Sequence, residues 1–417
     1  MAADGYGRTV VGWRGNVLDG RETAVKPLRI GIVVQRYGLE VLGGAEDAAR
    51  ALAEQLTALA EVHVITTCAT QYTTWASVYP PGVSELNGVM VHRFPVDQPR
   101  DWEKAVAVDG RFWQKEHTLE QEMDWIRQNG PYSTPLFQFI YQSEPNFDVF
   151  IFFTYLYATT FFGLPLVAHK AIFVPTAHDE PFLRADAFRV LFHLPRHVVY
   201  LTDAERVIVQ RVTGNGRVPS TIAALGFSAP AGVSGDRFRQ KYGITGDFLL
   251  YGGRIARAKN VPQLLDYFQQ YRQEQDTPDL KLVLMGSPDF TVPPHPDIIP
   301  IGFVSEQDKF DALQAATAVI QPSRFESLSI IILQAWLVGT AVVVDAHCAV
   351  TRQQCQRSNG GLYYSSYDEF AAILNRLLAS PDLRVALGRQ GKQFTQATYN
   401  WETILCQYQA IFSEVIT

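Results

Sequence analysis

Cysteine is scarce in this chain of 417 residues, with four in all at positions 68, 348, 355 and 406. They form no CxxC pair and no zinc-like cluster with histidine, which argues against a disulfide framework and a structural zinc site. A reducing cytoplasm is the expected compartment. Long apolar runs are lacking too: no uninterrupted stretch reaches the roughly 18 residues that a membrane-spanning helix needs. The richest segment, Val149 to Val167, is broken by Thr154, Thr159, Thr160 and a Gly-Leu-Pro step. It reads as buried strand, turn and short helix, and the chain is compatible with peripheral membrane contact at most. Basic charge is not in excess, since 36 Lys and Arg face 42 Asp and Glu for a net charge of -6. That balance gives no general pull toward nucleic acid. Residues 1–27 carry Asp4, Arg8, Arg14, Asp19, Arg21 and Glu22 with no apolar stretch between them. They read as a flexible tail rather than an export signal. Neither GxGxxG nor GxxxxGK[ST] occurs in the glycine-rich turns, so a nicotinamide cofactor and a P-loop ATPase are not indicated.

The composition itself is that of a globular protein, 47% hydrophobic and 19% charged. The length suggests two domains, or three. From Leu28 the order is strand (LRIGIVVQ), a turn ending in Gly43-Gly44, a helix (AEDAARALAEQLTAL) and a second strand (EVHVITT). This is the pattern of a parallel-sheet unit. Further strands are expected at Gly88 to Phe94, Val149 to Phe153, Ala171 to Val174, His197 to Leu201 and Ser220 to Leu225. A helical insert is expected over about 99–145, with Trp102, Phe112, Trp113, Trp125 and Tyr132 either lining an acceptor cleft or burying the insert on its own domain.

A glycine-rich break from Gly226 to Gly246 marks a boundary, placing one Rossmann-like domain at 28–228 and a second at 229–398. After the break the strand and helix alternation restarts with DFLLYGG, and residues 399–417 form an amphipathic helix expected to pack back on the first domain. Two such halves imply a cleft between their sheet edges. Three segments there carry chemistry. Arg254 and Lys259 follow a strand end and suit adjacent phosphates, or are an ordinary surface pair. Glu326 precedes an apolar helix that carries Gln334 eight residues later. His178, Asp179 and Glu180 follow a strand in the first half. The Gly43-Gly44 pair before a helix suits anionic oxygen, or is simply a tight turn.

The ordered set GGAE at Gly43 to Glu46, TAHD, GR-x4-K at Gly253 to Lys259, GFVSEQDKFDALQAATAVIQPS and an E-x7-E region resembles the retaining nucleotide-sugar glycosyltransferases of family 4. The resemblance runs from about Leu28 onward and implies the GT-B architecture: α/β, two Rossmann-like domains with parallel sheets facing across a central cleft. It further implies a metal-independent enzyme without a cofactor, using a UDP, GDP or ADP sugar as donor. The acceptor would be a saccharide or lipid-linked saccharide, in polysaccharide or glycolipid assembly at the inner membrane face. Carried across by motif, Gly43 and Gly44 would border the cleft, and His178 would meet the transferred sugar. Arg254 and Lys259 would bind the diphosphate. Phe303 and Val304 would contact the base, Glu326 the hexose hydroxyls, Leu328 and Ser329 would offer amides, and Gln334 would bond the ribose.

This sequence departs from the family pattern in three places. Gln334 stands where a second glutamate is usual, Ala258 replaces an acidic residue, and Ser327-Leu328-Ser329 replaces serine-phenylalanine-glycine. Glutamine keeps an acceptor carbonyl and adds an N–H donor. An inactive sugar-nucleotide-binding relative and a transferase acting on a soluble metabolic sugar are the alternatives. A glycosidase fits less well, because the adjacent Asp179 and Glu180 are poorly placed to flank one bond.

Overall fold

The computed structural model describes residues 27–41, 43–101, 116–275 and 279–417. Most of the expected N-terminal tail, together with Trp102, Phe112 and Trp113 of the insert, lies outside the described residues.

Two sheets organise the chain. The first has the order β3-β4-β2-β1-β5-β6-β7-β8. Its strands are β1 (Arg29–Val33), β2 (Glu61–Thr67), β3 (Gly82–Leu86), β4 (Val89–Phe94), β5 (Val149–Phe153), β6 (Ala171–Val174), β7 (His197–Tyr200) and β8 (Ser220–Ile222). All neighbouring pairs are parallel except β3 with β4. β5 is VFIFF and wholly buried, as a strand covered on both faces should be. Gly31 in β1 makes room for it, because a Cβ there would lie 2.8 Å from the Phe150 ring.

The expected strand at Gly88 is corrected by one turn. Asn87 and Gly88 have φ of 52° and 80° and form a two-residue hairpin, so β4 starts at Val89 and an unanticipated antiparallel β3 precedes it.

The second sheet is wholly parallel, in the order β11-β10-β9-β12-β13-β14. It comprises β9 (Phe248–Gly252), β10 (Lys281–Met285), β11 (Ile298–Gly302), β12 (Ala318–Gln321), β13 (Val342–Asp345) and β14 (Gly361–Tyr364). β11 and β14 were not among the expected strands. β11 contains Pro300, which an edge strand tolerates.

The 226–246 break contains a short helix, Gly235–Tyr242, capped by the Ser234 side chain and ended by Gly243 in the left-handed region. The Trp401–Ile416 helix runs against the Gly44–Leu56 helix and β5 of the first sheet. It buries Ile404, Tyr408, Ile411, Phe412 and Val415, each worth about 1.5–3 kcal/mol of apolar burial for a full-sized side chain. Gly226 sits beneath it, and a Cβ there would fall 2.4 Å from Trp401 Cγ. Phe227 N donates to Tyr399 O at 2.8 Å beside that contact. Of the insert, helices Leu119–Asn129 and Thr134–Ser143 are described, with Trp125 buried and stacked on Phe182 at 5.1 Å. Among the described residues no helix is long and apolar enough to cross a membrane.

Candidate functional site

In each sheet the strand order reverses direction at one point, between β1 and β5 in the first and between β9 and β12 in the second. Loops leaving the carboxyl ends of strands at such a point diverge and leave a crevice. Gly43-Gly44 follow β1, His178 follows β6, Arg254 follows β9 and Glu326 follows β12. These residues therefore share the carboxyl ends of the two sheets.

Contacts join the two halves there. The Arg254 guanidinium stacks on the Tyr72 ring at 5.0 Å and donates to its hydroxyl. Thr202 Oγ1 donates to Ser327 O at 3.1 Å. Arg254 is aimed by its own strand end. Gly253 takes φ of 140°, and the buried Tyr251 hydroxyl donates to Arg254 O at 2.6 Å. β10 has to be followed by glycine beside it, because a Cβ on Gly286 would lie 1.9 Å from Gly253 O.

Lys259 closes a single 3-10 turn, Arg257–Lys259, with Asn260 in the left-handed region behind it. Its Nζ reaches Glu326 Oε1 at 2.7 Å and Phe325 O at 3.3 Å. The two sequence-predicted residues thus form one partly buried ion pair. The loop that carries Glu326 is held from below by Asp345, a residue sequence reasoning missed. Asp345 is 1% exposed and accepts from Arg324 Nε at 3.1 Å, His347 Nδ1 at 2.7 Å and Asn260 Nδ2 at 3.4 Å. Its one signal was an acid ending the apolar run VVVD. Leu328 is buried in the core, and its carbonyl accepts from Gln354 Nε2 at 2.7 Å. Ser329 opens the Ile330–Leu337 helix at φ 58°, the conformation a glycine would hold without strain. Gln334 lies on that helix, 9% exposed, and its amide has no hydrogen-bond partner among the described residues.

On the first-domain side, Thr154 and Thr176 follow β5 and β6 with φ of 68° and 49°. Both are β-branched, so these are strained positions held by their surroundings, in part by the Thr176 Oγ1 to Thr154 Oγ1 bond of 3.1 Å. His178 Nδ1 stands 3.5 Å from Glu180 Oε1, and Tyr155 OH donates to the same oxygen at 2.7 Å. Burial pushes the Glu180 carboxyl up, but His178, Tyr155 and the Lys259 charge of the other domain outweigh it and hold the group below its ordinary range. Asp179 pairs instead with Arg184 and, at 3.8 Å, with Arg211.

Gly43 and Gly44 differ sharply. A Cβ on Gly43 would meet Glu46 Oε2 at 2.1 Å, whereas one on Gly44 would meet nothing within 4 Å. Gly44 therefore fronts open space at the start of a 13-residue helix that has no side-chain cap. Phe303 and Val304 follow the carboxyl end of the edge strand β11, where Gly302 O accepts from Gly286 N at 2.8 Å and Gly286 in turn packs on Gly253; Phe303 is 68% exposed. A cavity of about 360 Å³ lined by His193, Arg196, Arg217 and Glu414 lies at the amino ends of β7 and β8, away from all of these residues. Among the described residues no group of three or more His, Cys, Asp or Glu is placed to hold a metal ion.

Comparison with known proteins bears on the fold and on relatedness. Residues 235–394 match the family described as Glycosyl transferases group 1. An uncharacterized glycosyltransferase of Methanocaldococcus jannaschii is 24% identical over 179 residues, 40% of this chain and 45% of that protein. The MMP alpha-(1->4)-mannosyltransferase of Mycolicibacterium hassiacum is 24% identical over 202 residues, 45% of this chain and 48% of that protein. The chain thus spans about half the length of the curated relatives it matches. Among solved structures, sucrose-phosphate synthase from Thermosynechococcus elongatus superimposes with a TM-score of 0.69 at 16% identity, over 93% of this chain and 99% of that one. Anabaena HepE in complex with UDP and glucose gives 0.68 at 14% identity, with the same coverage. The fold is GT-B, and the chain is related to the glycosyl transferases of group 1.

Proposed function

We propose that this chain is a retaining glycosyltransferase of family 4 that moves a hexosyl unit from a nucleoside diphosphate sugar to an acceptor hydroxyl. The observation that carries the reading is the Lys259–Glu326 pair, set with Arg254 at the carboxyl ends of one sheet and facing His178–Glu180 on the other. Cleaving a sugar–diphosphate bond builds negative charge on the leaving phosphate, and oriented donors placed beforehand stabilise that charge. Arg254, Lys259 and the open N-terminus at Gly44 supply such donors. Glu326, anchored by Lys259, would accept hydroxyls of the hexose, and His178, oriented through Nδ1 by Glu180, would present Nε2 to it. Retention then follows from a front-face displacement in which the departing phosphate takes the acceptor proton. Anabaena HepE is solved in complex with UDP-glucose, and for this chain a UDP, GDP or ADP sugar serves the same grip. The acceptor is a saccharide, free or lipid-linked.

The second reading is a sugar-nucleotide-binding relative without turnover, favoured by the unpartnered Gln334 amide. A nucleotide-sugar panel read by thermal shift, then acceptor screening by mass spectrometry, separates the two. Under the transferase reading a product appears, and Lys259→Ala and Glu326→Ala each cost about a hundredfold in kcat, comparable to losing one oriented donor, while remaining folded. Donor binding with no product in any acceptor screen selects the second reading.

A further inference from the structure

Thr202-Asp203-Ala204-Glu205 has the form of a helix capping box, in which the glutamate would return to the N–H of the cap residue. The threonine behaves so, accepting from Glu205 N at 3.1 Å. The carboxylate reaches beyond the cap residue. Its Oε1 accepts from Ala177 N and its Oε2 from Leu201 N, both at 2.7 Å. Those two N–H groups belong to the chain leaving β6 and the chain leaving β7, so one side chain clamps two neighbouring strand ends. Glu205 is fully buried, and among the described residues no Lys, Arg or His lies within ion-pair distance of it. A buried carboxylate without a cation is costly, and the helix start already has a cap, since Thr202 Oγ1 accepts from Glu205 N.

What hangs on the clamp is the cleft. Ala177 immediately precedes His178, and Thr202 donates across the domain junction to Ser327 O, the residue after Glu326. We propose that Glu205 is a positioning residue: its carboxylate fixes the His178 loop against Thr202, and through Thr202 fixes where the Glu326 loop of the second domain comes to rest. The proposal rests on the reading of this cleft as a glycosyl-transfer site.

Burial raises the Glu205 carboxyl to about 7, against the opposing pull of the Leu201 and Ala177 N–H groups, the His178 charge and the Thr202 N–H. Tyr200 of β7 and Arg206 of the following helix face the same pocket. Only the ionised carboxylate offers a full acceptor to each N–H group; protonation leaves one of the two oxygens a poor acceptor. The clamp therefore loosens as pH falls below about 7.

The test is an initial-rate pH profile from pH 5.5 to 9 on the full chain and on Glu205→Gln, with donor affinity measured alongside. The wild type is expected to lose kcat on an acid limb with a midpoint near 7. Glu205→Gln is expected to lose that limb, with kcat down roughly tenfold at pH 8 and donor KM within about threefold, the loss expected of a misplaced rather than missing group. An acid limb unchanged in Glu205→Gln overturns the proposal. Should that variant fail to fold, selective 15N-alanine and 15N-leucine labelling of the wild type decides instead. The Ala177 and Leu201 amides should shift together with a midpoint near 7, and flat shifts overturn the clamp. A wild type that transfers from no donor would refute the transfer reading, while the amide titration would still report on the clamp.

Discussion

Alanine substitution at two adjacent glycines should have opposite consequences. At Gly43 the backbone is extended, with φ of 165°, so torsion does not demand glycine there; contact does. The added carbon would lie 2.1 Å from Glu46 Oε2 and 3.2 Å from Arg36 Nη2. Glu46 is 6% exposed and its Oε1 accepts from Gln35 Nε2 and Arg36 Nε, both at 2.9 Å. Removing one partner of a buried ion pair costs about 3–5 kcal/mol, and crowding a packed site costs about 1–3. Displacing the carboxylate without deleting it falls between, so Gly43→Ala should lose about 2–4 kcal/mol. For a domain of this size that lowers Tm by roughly 5–15 °C.

Gly44→Ala meets no atom within 4 Å and starts a helix, where alanine is better than glycine by up to about 1 kcal/mol. Its Tm should hold or rise. The methyl nevertheless projects into the open space above the helix N–H groups, where a phosphate oxygen would have to approach. We expect kcat/KM for the donor to drop at least about tenfold, or 1.4 kcal/mol of transition-state binding. Differential scanning calorimetry and initial rates on both variants decide it. Full transfer by Gly44→Ala would reduce the glycine pair to a turn, and a wild-type Tm for Gly43→Ala would refute the packing of Glu46 on which the contrast depends.

Two further outcomes follow from strain and from burial. Ser329 pays for φ of 58° with about 1 kcal/mol and gains a 3.3 Å bond from Gln321 Nε2, so Ser329→Gly should leave the urea midpoint within about 1 kcal/mol of wild type, while β-branched Ser329→Val should lose about 2. His92 is held down to about 4 by burial first, then by the His63 and Arg29 charges, with His63 Nδ1 at 2.9 Å from its Nε2. A folded value below the unfolded one means that its contribution is complete above about pH 6.5 and is lost as pH falls toward 4. Allowing for partial exposure, the loss is about 1–2 kcal/mol. The stability difference between wild type and His92→Gln should therefore shrink by that amount from pH 7 to pH 4 in denaturant titrations, and parallel pH curves would contradict it.

The elements were legible where the signal is local. Alternating apolar strands and periodic helices place β1, β2, β5, β9, β10, β12 and β13 close to where they were read. The hairpin was missed although Asn87-Gly88 carried its signal, because Gly88 was read into the strand it precedes. Edge strand β11 was missed because Pro300 interrupts its apolar run. The site divides along the same line. Residue types and motif spacing pointed to Arg254, Lys259, Glu326 and His178, but their partners are remote in sequence. Lys259 and Glu326 are 67 residues apart, and Arg254 and Tyr72 are 182 apart. Glu205 was hidden differently. Its local pattern satisfies a helix cap, so nothing in the sequence signals that its carboxylate serves Ala177, 28 residues away.

Gln334 is the departure on which the transfer reading is most exposed, and charge accounting around the loop makes it intelligible. The cations there are already engaged: Lys259 with Glu326 at 2.7 Å, and Arg324 with Asp345 at 3.1 Å. Arg254 is turned to Tyr72. A glutamate at position 334, 9% exposed on an apolar helix, would bring a further negative charge with no partner among the described side chains. Such a charge is expensive until a ligand arrives, and it would add repulsion to an incoming diphosphate. A neutral amide costs far less to leave unpaired. It still offers one acceptor and two N–H donors to a ribose diol. The substitution therefore removes charge from the pocket without removing its capacity to hydrogen-bond, and Gln334→Glu should weaken the free protein more than it strengthens donor binding.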